Sequence, residues 1–396
     1  MKNSALFSEI DKTLPQAAST TMPSTALEQM IADLMAAINS IGNEIKVDIV
    51  ATSPWSQLPD EDQNRGSVSI EDGFGFQATL TGSPIRELEL EDLQQGRINV
   101  RNDVQSVEAE NWFGIQAIFN GNVGDAEFED VNWSNILFDE VGDVYIDGFN
   151  TTITIEDVEP DSDIDLEGDN LILDASEAND DMNVFANGGN MNIATGSGDN
   201  RVYTNEGNDV INTGDGNDYV RADEGNDTLY GGAGRDDLFG EEGDDVIFGD
   251  AGNDYLSGGD GNDLISGGTG NDVIVGGDGG DLINGNDGDD FINAGNGADR
   301  IIDGAGNDIM YLGRNDGDPD TIIFNQSDEA QTNTVHDFEI GVDQATWYDH
   351  LGNAADAAQD ALVSGGTAVY GNQSIEFIDL LPLPVQEIDD WYGVKG

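Results

Sequence analysis

Aspartate recurs at nine-residue intervals in the second half of this 396-residue chain, from Asp209 to Asp308. Carboxylates are acceptor-only oxygen donors, which are the ligands that hard divalent cations prefer. Softer metal ligands are scarce, because the chain has no cysteine and its two histidines, His336 and His350, follow the last of these aspartates. Spacing and residue type therefore indicate a row of cation sites. Ca²⁺ suits them better than Mg²⁺, which gives up its water reluctantly.

These aspartates occupy the sixth position of a nine-residue repeat that fills residues 195–311 without insertion or deletion. The fourth position is glycine in all thirteen copies, and the sixth is aspartate in all but the first copy, which has Asn200. The candidate metal ligands are the sixth residues Asp209, Asp218, Asp227, Asp236, Asp245, Asp254, Asp263, Asp272, Asp281, Asp290, Asp299 and Asp308. The eighth position is always aliphatic or methionine, as in Val202, Ile265 and Met310.

The pattern within one copy predicts the element that places each carboxylate. The glycine-rich first half favours a turn and leaves its carbonyl groups uncovered by side chains. The last three residues predict a short strand whose middle side chain points inward. Two copies then make one full turn, and strands of successive turns stack about 4.8 Å apart in two parallel sheets. A solenoid with one aliphatic residue per copy has a thin core.

Acidic charge dominates the repeat and the whole chain. Residues 195–311 contain 27 Asp and Glu against four Arg, and the full sequence has 81 acidic against 13 basic residues, for a net charge of −68. Stacked turns align the sixth-position carboxylates in columns, where like charges repel. We therefore predict an expanded metal-free chain whose folding free energy comes from cation binding. The alternative is a metal-free solenoid with solvated carboxylates.

The repeat Gly-Gly-x-Gly-x-Asp-x-aliphatic-x resembles the calcium-binding nonapeptide of RTX (repeats-in-toxin), or hemolysin-type, proteins. The resemblance implies a mainly β fold: a parallel β-roll (right-handed β-solenoid) with about ten Ca²⁺ ions between its turns. The ions would be held by the sixth-position aspartates and by carbonyls of the glycine-rich loops. First-position glycine is replaced near both ends of the array, by Thr195, Thr204, Thr213, Ala222, Ala294 and Asp303. The best sites are therefore expected within residues 231–293.

The flanking segments predict three further regions. Residues 1–66 form a polar leader plus an amphipathic helix, which opens with a capping box at Thr25 and ends before Gly42. Residues 67–186 alternate as short β-strands do, so a β-helical and a jelly-roll-like region both stay open. The β-roll with degenerate capping turns covers 187–324. Residues 325–396 resemble the C-terminal cap of serralysin-type tails, which implies an uncleaved type I secretion signal.

Charge and hydropathy restrict the partners and the compartment. The net charge of −68 leaves no basic patch for nucleic acid or for an anionic membrane surface. No apolar run is long enough for a transmembrane segment. The N-terminus lacks a basic region followed by an apolar one, so no cleaved signal peptide is predicted. With the resemblance, this predicts an extracellular or cell-surface protein that is exported by the type I secretion machinery.

The sequence favours a non-catalytic protein over an enzyme, and no catalytic residue is assigned. His-Glu-x-x-His and Gly-x-Ser-x-Gly are both absent, which argues against an RTX-linked protease or lipase. We predict a surface-layer, matrix or adhesion role, with the protein itself or a cell-surface polysaccharide as partner. Outward apolar residues at seventh positions, such as Val246, Leu264 and Leu282, are either covered by another part of the chain, simply strand-forming, or available for such contacts. The alternative is a carbohydrate-active enzyme, a polysaccharide lyase or glycosidase, with its site in 67–186. The aromatics Trp112, Phe113, Trp133 and Phe138 could stack on sugar there, although residues of this kind are more often part of a core.

Overall fold

Stacked β-strands, almost all of them parallel, make up the part of the chain that the structure describes. The structure is a computed structural model and describes residues 46–51, 67–71, 77–82, 84–101, 103–160, 162–313, 318–325, 331–338, 343–348, 354–356, 367–370 and 373–378. The amphipathic helix predicted after Thr25 lies outside these residues. Among the described residues, no helix has the length and apolar character needed to cross a membrane.

Fourteen strands precede the first copy of the repeat. They are β1 (Lys46–Ala51), β2 (Ser67–Glu71), β3 (Gln77–Gly82), β4 (Ile85–Glu91), β5 (Arg97–Val100), β6 (Val104–Glu110), β7 (Gln116–Asn132), β8 (Asn135–Val141), β9 (Val144–Phe149), β10 (Thr152–Ile155), β11 (Ser162–Asp169), β12 (Ile172–Asp174), β13 (Met182–Gly188) and β14 (Asn192–Ala194).

The repeat contributes the next thirteen strands, one per copy, and six strands follow it. Those of the repeat are β15 (Arg201–Tyr203), β16 (Val210–Asn212), β17 (Tyr219–Arg221), β18 (Thr228–Ala233), β19 (Asp237–Glu242), β20 (Val246–Ala251), β21 (Tyr255–Asp260), β22 (Leu264–Thr269), β23 (Val273–Asp278), β24 (Leu282–Asp287), β25 (Phe291–Asn296), β26 (Arg300–Ile302) and β27 (Ile309–Tyr311). The last six are β28 (Thr321–Asn325), β29 (Gln331–His336), β30 (Gln344–Tyr348), β31 (Ala354–Asp356), β32 (Thr367–Tyr370) and β33 (Gln373–Ile378).

Two ladders of parallel strands run the length of the described chain. The first ladder stacks β1, β3, β5, the start of β7, β8 and then the even-numbered strands β10 to β30. The second stacks β2, β4, β6, the end of β7 and then the odd-numbered strands β9 to β29, followed by β33. The 17-residue β7 takes part in both. The region upstream of the repeat is thus β-helical, not a jelly roll, and it stacks directly on the repeat through β13 and β14.

Two copies of the repeat make one turn, as the sequence predicted. Within the repeat each residue pairs with the residue 18 positions later, as Leu264 does with Leu282. Upstream the step is less regular, since Ile85 pairs with Val104 and Ser162 with Met182. The parallel β-solenoid that was predicted for the repeat is confirmed.

The hydrophobic core is much richer upstream than in the repeat. Trp112, Phe119, Phe128 and Phe138 are all buried there; the rings of Phe119 and Phe138 stack with centroids 5.1 Å apart, and Trp112 meets Phe128 edge-on at 5.2 Å. Inside the repeat the core is mainly two columns of eighth-position side chains, one from each ladder, and each side chain is at most 1% exposed. Since hydrophobic stabilisation scales with buried apolar area, the upstream turns are far better stabilised by their own core.

Candidate metal sites

The sixth-position aspartates line the inside of the turns and are all buried. The twelve predicted ligands are 0–2% exposed, although each carries a carboxyl group. They form two columns, one beside each ladder, because successive turns repeat every 18 residues. Columns of buried carboxyl groups are costly unless each oxygen has a partner.

One oxygen of each carboxylate has a partner within the fold. Oδ1 accepts the backbone N–H of the sixth residue one turn earlier, as from Asp245 N to Asp263 Oδ1 at 2.8 Å. The same bond recurs between successive copies along both columns. This hydrogen bond holds every carboxylate in the same orientation and does not involve its second oxygen, Oδ2.

The second oxygen has no hydrogen-bond partner. Among the described residues, Oδ2 of all twelve predicted ligands is buried and accepts no hydrogen bond. Buried polar atoms without partners are rare in native proteins, and such an atom in twelve equivalent places points to a group that binds there. These are the same twelve residues that the sequence predicted as ligands, and the structure gives each of them a buried Oδ2 without a hydrogen-bond partner.

Burial raises the pKa of these carboxyl groups, to about 8 for Asp254 and Asp290 and to about 6 for Asp245. The backbone N–H at Oδ1 opposes the shift, and like-charged carboxylates contribute to it; for Asp254 they include Asp236 and Asp272, one turn away on either side. In the absence of a cation, the fold therefore stabilises the protonated, neutral form more than the unfolded chain does. A bound divalent cation would reverse this preference by stabilising the charged form.

First-position glycine leaves a space beside each Oδ2. At Gly258 a Cβ would lie 2.1 Å from Asp263 Oδ2 and 2.6 Å from the carbonyl oxygen of Gly276 in the next turn. The arrangement is the same at all seven first-position glycines, Gly231, Gly240, Gly249, Gly258, Gly267, Gly276 and Gly285, and we call these spaces the glycine cradles. None of the seven has a positive φ, so glycine is needed there for room and not for backbone freedom.

The donors around a glycine cradle fit Ca²⁺. Each cradle offers a carboxylate oxygen and a carbonyl oxygen, a hard-oxygen set with no nitrogen or sulfur. No three His, Asp or Glu side chains converge on one point in the described part of the chain. Each site must therefore combine its carboxylate with backbone carbonyls, as the flexible coordination of Ca²⁺ allows.

Three ligand-like residues after the repeat were missed by sequence reasoning. Asp320 Oδ1 accepts the N–H of Asp299, Asn333 Oδ1 accepts that of Asp308, and Asp343 Oδ1 accepts that of Asp320. These residues continue the two columns beyond residue 311. Asp320 and Asn333 precede the short runs Thr-Ile and Thr-Val, which match the seventh and eighth positions of a copy. Inserted residues break the nine-residue count and hide them.

A second set of side chains ties the turns together on the outside. Fifth-position Asn and Asp residues are exposed, and each Oδ1 accepts the N–H of the fifth residue one turn later. Asn271 N, for example, donates to Asn253 Oδ1 at 2.7 Å. This ladder runs in the opposite sense to the inner one and leaves no buried orphan, so it needs no cation.

The outward residues predicted at seventh positions are exposed or half-buried with one exception. Val210, Leu264 and Leu282 are 37–41% exposed on the first ladder. Val273 on the second ladder is the exception at 4%, because its register neighbours are the larger Tyr255 and Phe291. Of the aromatic residues considered for sugar binding, Trp112 and Phe138 are in the core, whereas Phe113 and Trp133 are 47% and 59% exposed.

Comparison with known proteins agrees with the geometry of these sites. The family model described as RTX calcium-binding nonapeptide repeat (4 copies) matches residues 185–220, 194–229, 221–256, 230–265, 248–283, 257–292 and 284–317. These matches cover the glycine cradles and all twelve predicted ligands. No curated protein matches the chain.

Proposed function

We propose that this chain, whose residues 185–317 carry RTX calcium-binding nonapeptide repeats, is a secreted protein whose roll folds when Ca²⁺ binds between its turns. RTX repeats bind Ca²⁺ in general and are typical of secreted proteins. The observation that carries the proposal is the orphaned Oδ2 of the sixth-position aspartate beside each glycine cradle. When bound, Ca²⁺ would supply positive charge to these columns of buried carboxylates and thereby offset their mutual repulsion.

The complete sites are the seven glycine cradles. Their carboxylates are Asp236, Asp245, Asp254, Asp263, Asp272, Asp281 and Asp290. The other five predicted ligands belong to copies with a side chain at the first position, which reduces the room beside Oδ2. We therefore propose about seven strongly held Ca²⁺ ions instead of about ten.

Export in an unfolded state follows from the same electrostatics. Where free Ca²⁺ is scarce, the carboxylate columns keep the roll expanded, and the roll closes only in a calcium-rich exterior. We propose residues 325–396 as the C-terminal cap that carries the signal for the type I secretion machinery. Parallel pairing of β29 with β33 and of β28 with β30 extends both ladders into this segment.

Replacing Gly276 by alanine tests the glycine cradles directly. Its methyl group would lie 2.4 Å from Asp281 Oδ2 and 2.2 Å from the carbonyl oxygen of Ala294, so we expect the loss of at least one Ca²⁺. The measurement is the number of bound ions by native mass spectrometry, with an expected total of about seven in the wild type.

The matched control is Gly280→Ala in the same copy. Gly280 is a fifth-position residue, and a Cβ there meets nothing closer than 3.3 Å. This variant should keep the wild-type number of ions. Equal loss in both variants, or no bound Ca²⁺ in the wild type, would contradict the proposal.

The biological role that we propose is structural, in a surface layer, a matrix or adhesion. The apolar row of Val246, Leu264 and Leu282 faces outward at successive turns of one ladder. On the other ladder the rings of Tyr203, Tyr219, Phe239 and Tyr255 form a stack with centroids 5.5 Å apart. Successive rings are tilted by 40–42° and pack against one another as a half-buried aromatic row, which favours packing against another protein surface.

The variant Val246→Ser/Leu264→Ser/Leu282→Ser should lose calcium-dependent assembly. Burying one such side chain contributes about 1.5–3 kcal/mol, so we expect roughly a tenfold or greater fall in the assembled fraction. Light scattering during Ca²⁺ addition measures it, and Asn212→Ser/Asn284→Ser on the same ladder is the control. Identical assembly of all three proteins would contradict the role of this row.

The carbohydrate-active alternative keeps one observation in its favour. Trp133 and Phe149 are exposed next to each other upstream of the repeat, with ring centroids 6.1 Å apart. Exposed aromatic pairs of this kind can stack on sugars. Incubation with alginate or pectin separates the two candidates: release of reducing ends or of unsaturated products favours an enzyme, and assembly without products favours the structural role.

A further inference from the structure

The first three copies of the repeat have threonine where the central copies have glycine. Thr195, Thr204 and Thr213 occupy first positions, and all three are buried, at 3%, 1% and 0% exposure. A side chain at this position must occupy the space that is a cradle in the central copies. The question is what the threonine hydroxyl does there.

Each hydroxyl donates a hydrogen bond to the next turn. Thr195 Oγ1 donates to the carbonyl of Thr213 at 2.8 Å, Thr204 Oγ1 to that of Ala222 at 3.0 Å, and Thr213 Oγ1 to that of Gly231 at 2.9 Å. Each acceptor is the first residue one turn later. In the glycine cradles, the equivalent carbonyl oxygen is the one that lies beside Oδ2. The hydroxyl thus meets the oxygen that would face the cation.

The hydroxyls also influence the neighbouring carboxylates. Burial raises the pKa of Asp209, and both the backbone N–H of Met191 and the hydroxyl of Thr204 oppose that rise. Thr213 has the same effect on the carboxyl group of Asp218, whose pKa burial still raises to about 7. In both copies the hydroxyl thus donates to the carbonyl oxygen and lies close enough to the carboxylate to influence it.

The first copy has no carboxylate at its sixth position, in addition to having threonine at its first. Asn200 Oδ1 accepts the N–H of Met182 at 3.2 Å, as an aspartate would. Its Nδ2 donates to the carbonyl of Gly198 at 3.1 Å, so the atom that replaces the orphaned Oδ2 has a partner. Thr195 and Asn200 together make an uncharged version of the site in which these side-chain polar groups are satisfied.

We infer that the hydroxyls of Thr195, Thr204 and Thr213 take the place of calcium ions, so that the roll begins with turns that close without metal. This inference rests on the proposed calcium function of the glycine cradles. It assigns a role to the boundary between the upstream turns and the repeat. The upstream turns stay folded without metal because of their own hydrophobic core, and the threonine turns extend this folded region. Calcium binding then starts from a preformed edge, which lowers the cost of ordering the next turn.

Replacing two threonines by glycine should create two calcium sites. Thr204→Gly/Thr213→Gly restores the first-position glycine beside Asp209 and Asp218, and we expect two more bound Ca²⁺ ions than in the wild type. Native mass spectrometry counts the ions. Thr204→Ser/Thr213→Ser keeps both hydroxyls and should bind the wild-type number.

Hydrogen exchange in EDTA supplies a readout that is independent of ion counting. Amides of residues 195–221 should stay protected in the wild type and in the serine variant, and should lose protection in the glycine variant. If the glycine variant fails to fold, Gly258→Thr/Gly267→Thr in the central roll tests the reverse change. We expect that variant to lose two ions and keep its fold.

The outcomes separate this inference from the calcium function itself. A wild type without bound Ca²⁺ overturns both. A wild type that binds Ca²⁺, with an unchanged count in the glycine variant or in Gly258→Thr/Gly267→Thr, overturns only the threonine inference. Two ions gained in the first variant and two lost in the second support it.

Discussion

Chelation of Ca²⁺ is expected to unfold the roll and leave the upstream β-helical turns intact. In EDTA at pH 7.5, amides of residues 231–293 should exchange rapidly, whereas those of residues 104–194 keep their protection. The reason is the difference between the two cores: the upstream turns bury Trp112, Phe128 and other large side chains, and the roll depends on one aliphatic residue per copy. Each filled site stabilises the roll by about 2.7 kcal/mol when free Ca²⁺ is 100-fold above its Kd.

Hydrogen exchange read by mass spectrometry measures this effect segment by segment. Far-UV circular dichroism should show a partial loss of β signal in EDTA and its recovery on adding Ca²⁺. Addition of Mg²⁺ at the same concentration is the control and should restore little, because Mg²⁺ keeps its hydration shell. Full protection of residues 231–293 in EDTA would contradict the dependence of the roll on calcium.

The roll was predictable from sequence because every nine-residue copy has the same kinds of residue at the same key positions. Sixth-position aspartates, eighth-position aliphatics and the two-copy turn follow from a strict period, and the register of 18 residues agrees with each. The period does not reveal which oxygens face each other across turns. The pairing of Asp263 Oδ2 with the Gly276 carbonyl, and the hydroxyl of Thr213 in the equivalent place, depend on backbone direction that no single copy encodes.

The upstream half was less predictable for a physical reason. Its turns vary in length, so no fixed spacing marks inward and outward residues, and the choice between a β-helix and a jelly roll stayed open. Trp112 and Trp133 illustrate the difficulty, since similar sequence contexts place one at 1% exposure and the other at 59%. The φ of +54° at Trp133 shows that it sits at a corner where the chain changes direction. Corner positions of this kind have no periodic signal.

Protonation of the sixth-position aspartates at acidic pH is expected to stabilise the metal-free roll in part, as bound Ca²⁺ does. In the metal-free fold, burial raises the pKa of Asp254 and Asp290 to about 8, and that of Asp263 and Asp272 to about 6. These values lie above the ordinary aspartate value of 3.8 that applies to the unfolded chain. A group with a raised folded-state pKa binds its proton more tightly in the fold. Its stabilising contribution is complete below pH 4 and is lost as the pH rises through 6 to 8.

The metal-free protein should therefore regain β structure when the pH falls from 8 to 5 in EDTA. Circular dichroism at 218 nm and exchange of residues 231–293 measure the transition, with an expected midpoint between about 6 and 7. The lower limit of pH 5 keeps the protein above its pI of 4.1, where loss of net charge would promote aggregation.

An asparagine variant distinguishes proton binding at the columns from a general relief of charge. Asp263→Asn/Asp281→Asn removes two titrating groups of one column and supplies amide donors of the kind that Asn200 uses in the first copy. Because these positions no longer have to be protonated, metal-free folding of the variant should extend to higher pH than in the wild type. The exposed control Asp215→Asn/Asp287→Asn changes the net charge equally and leaves the column intact. An equal shift in both variants, or a metal-free wild type still unfolded at pH 5, would mean that repulsion over the whole surface, and not the buried columns, keeps the roll open.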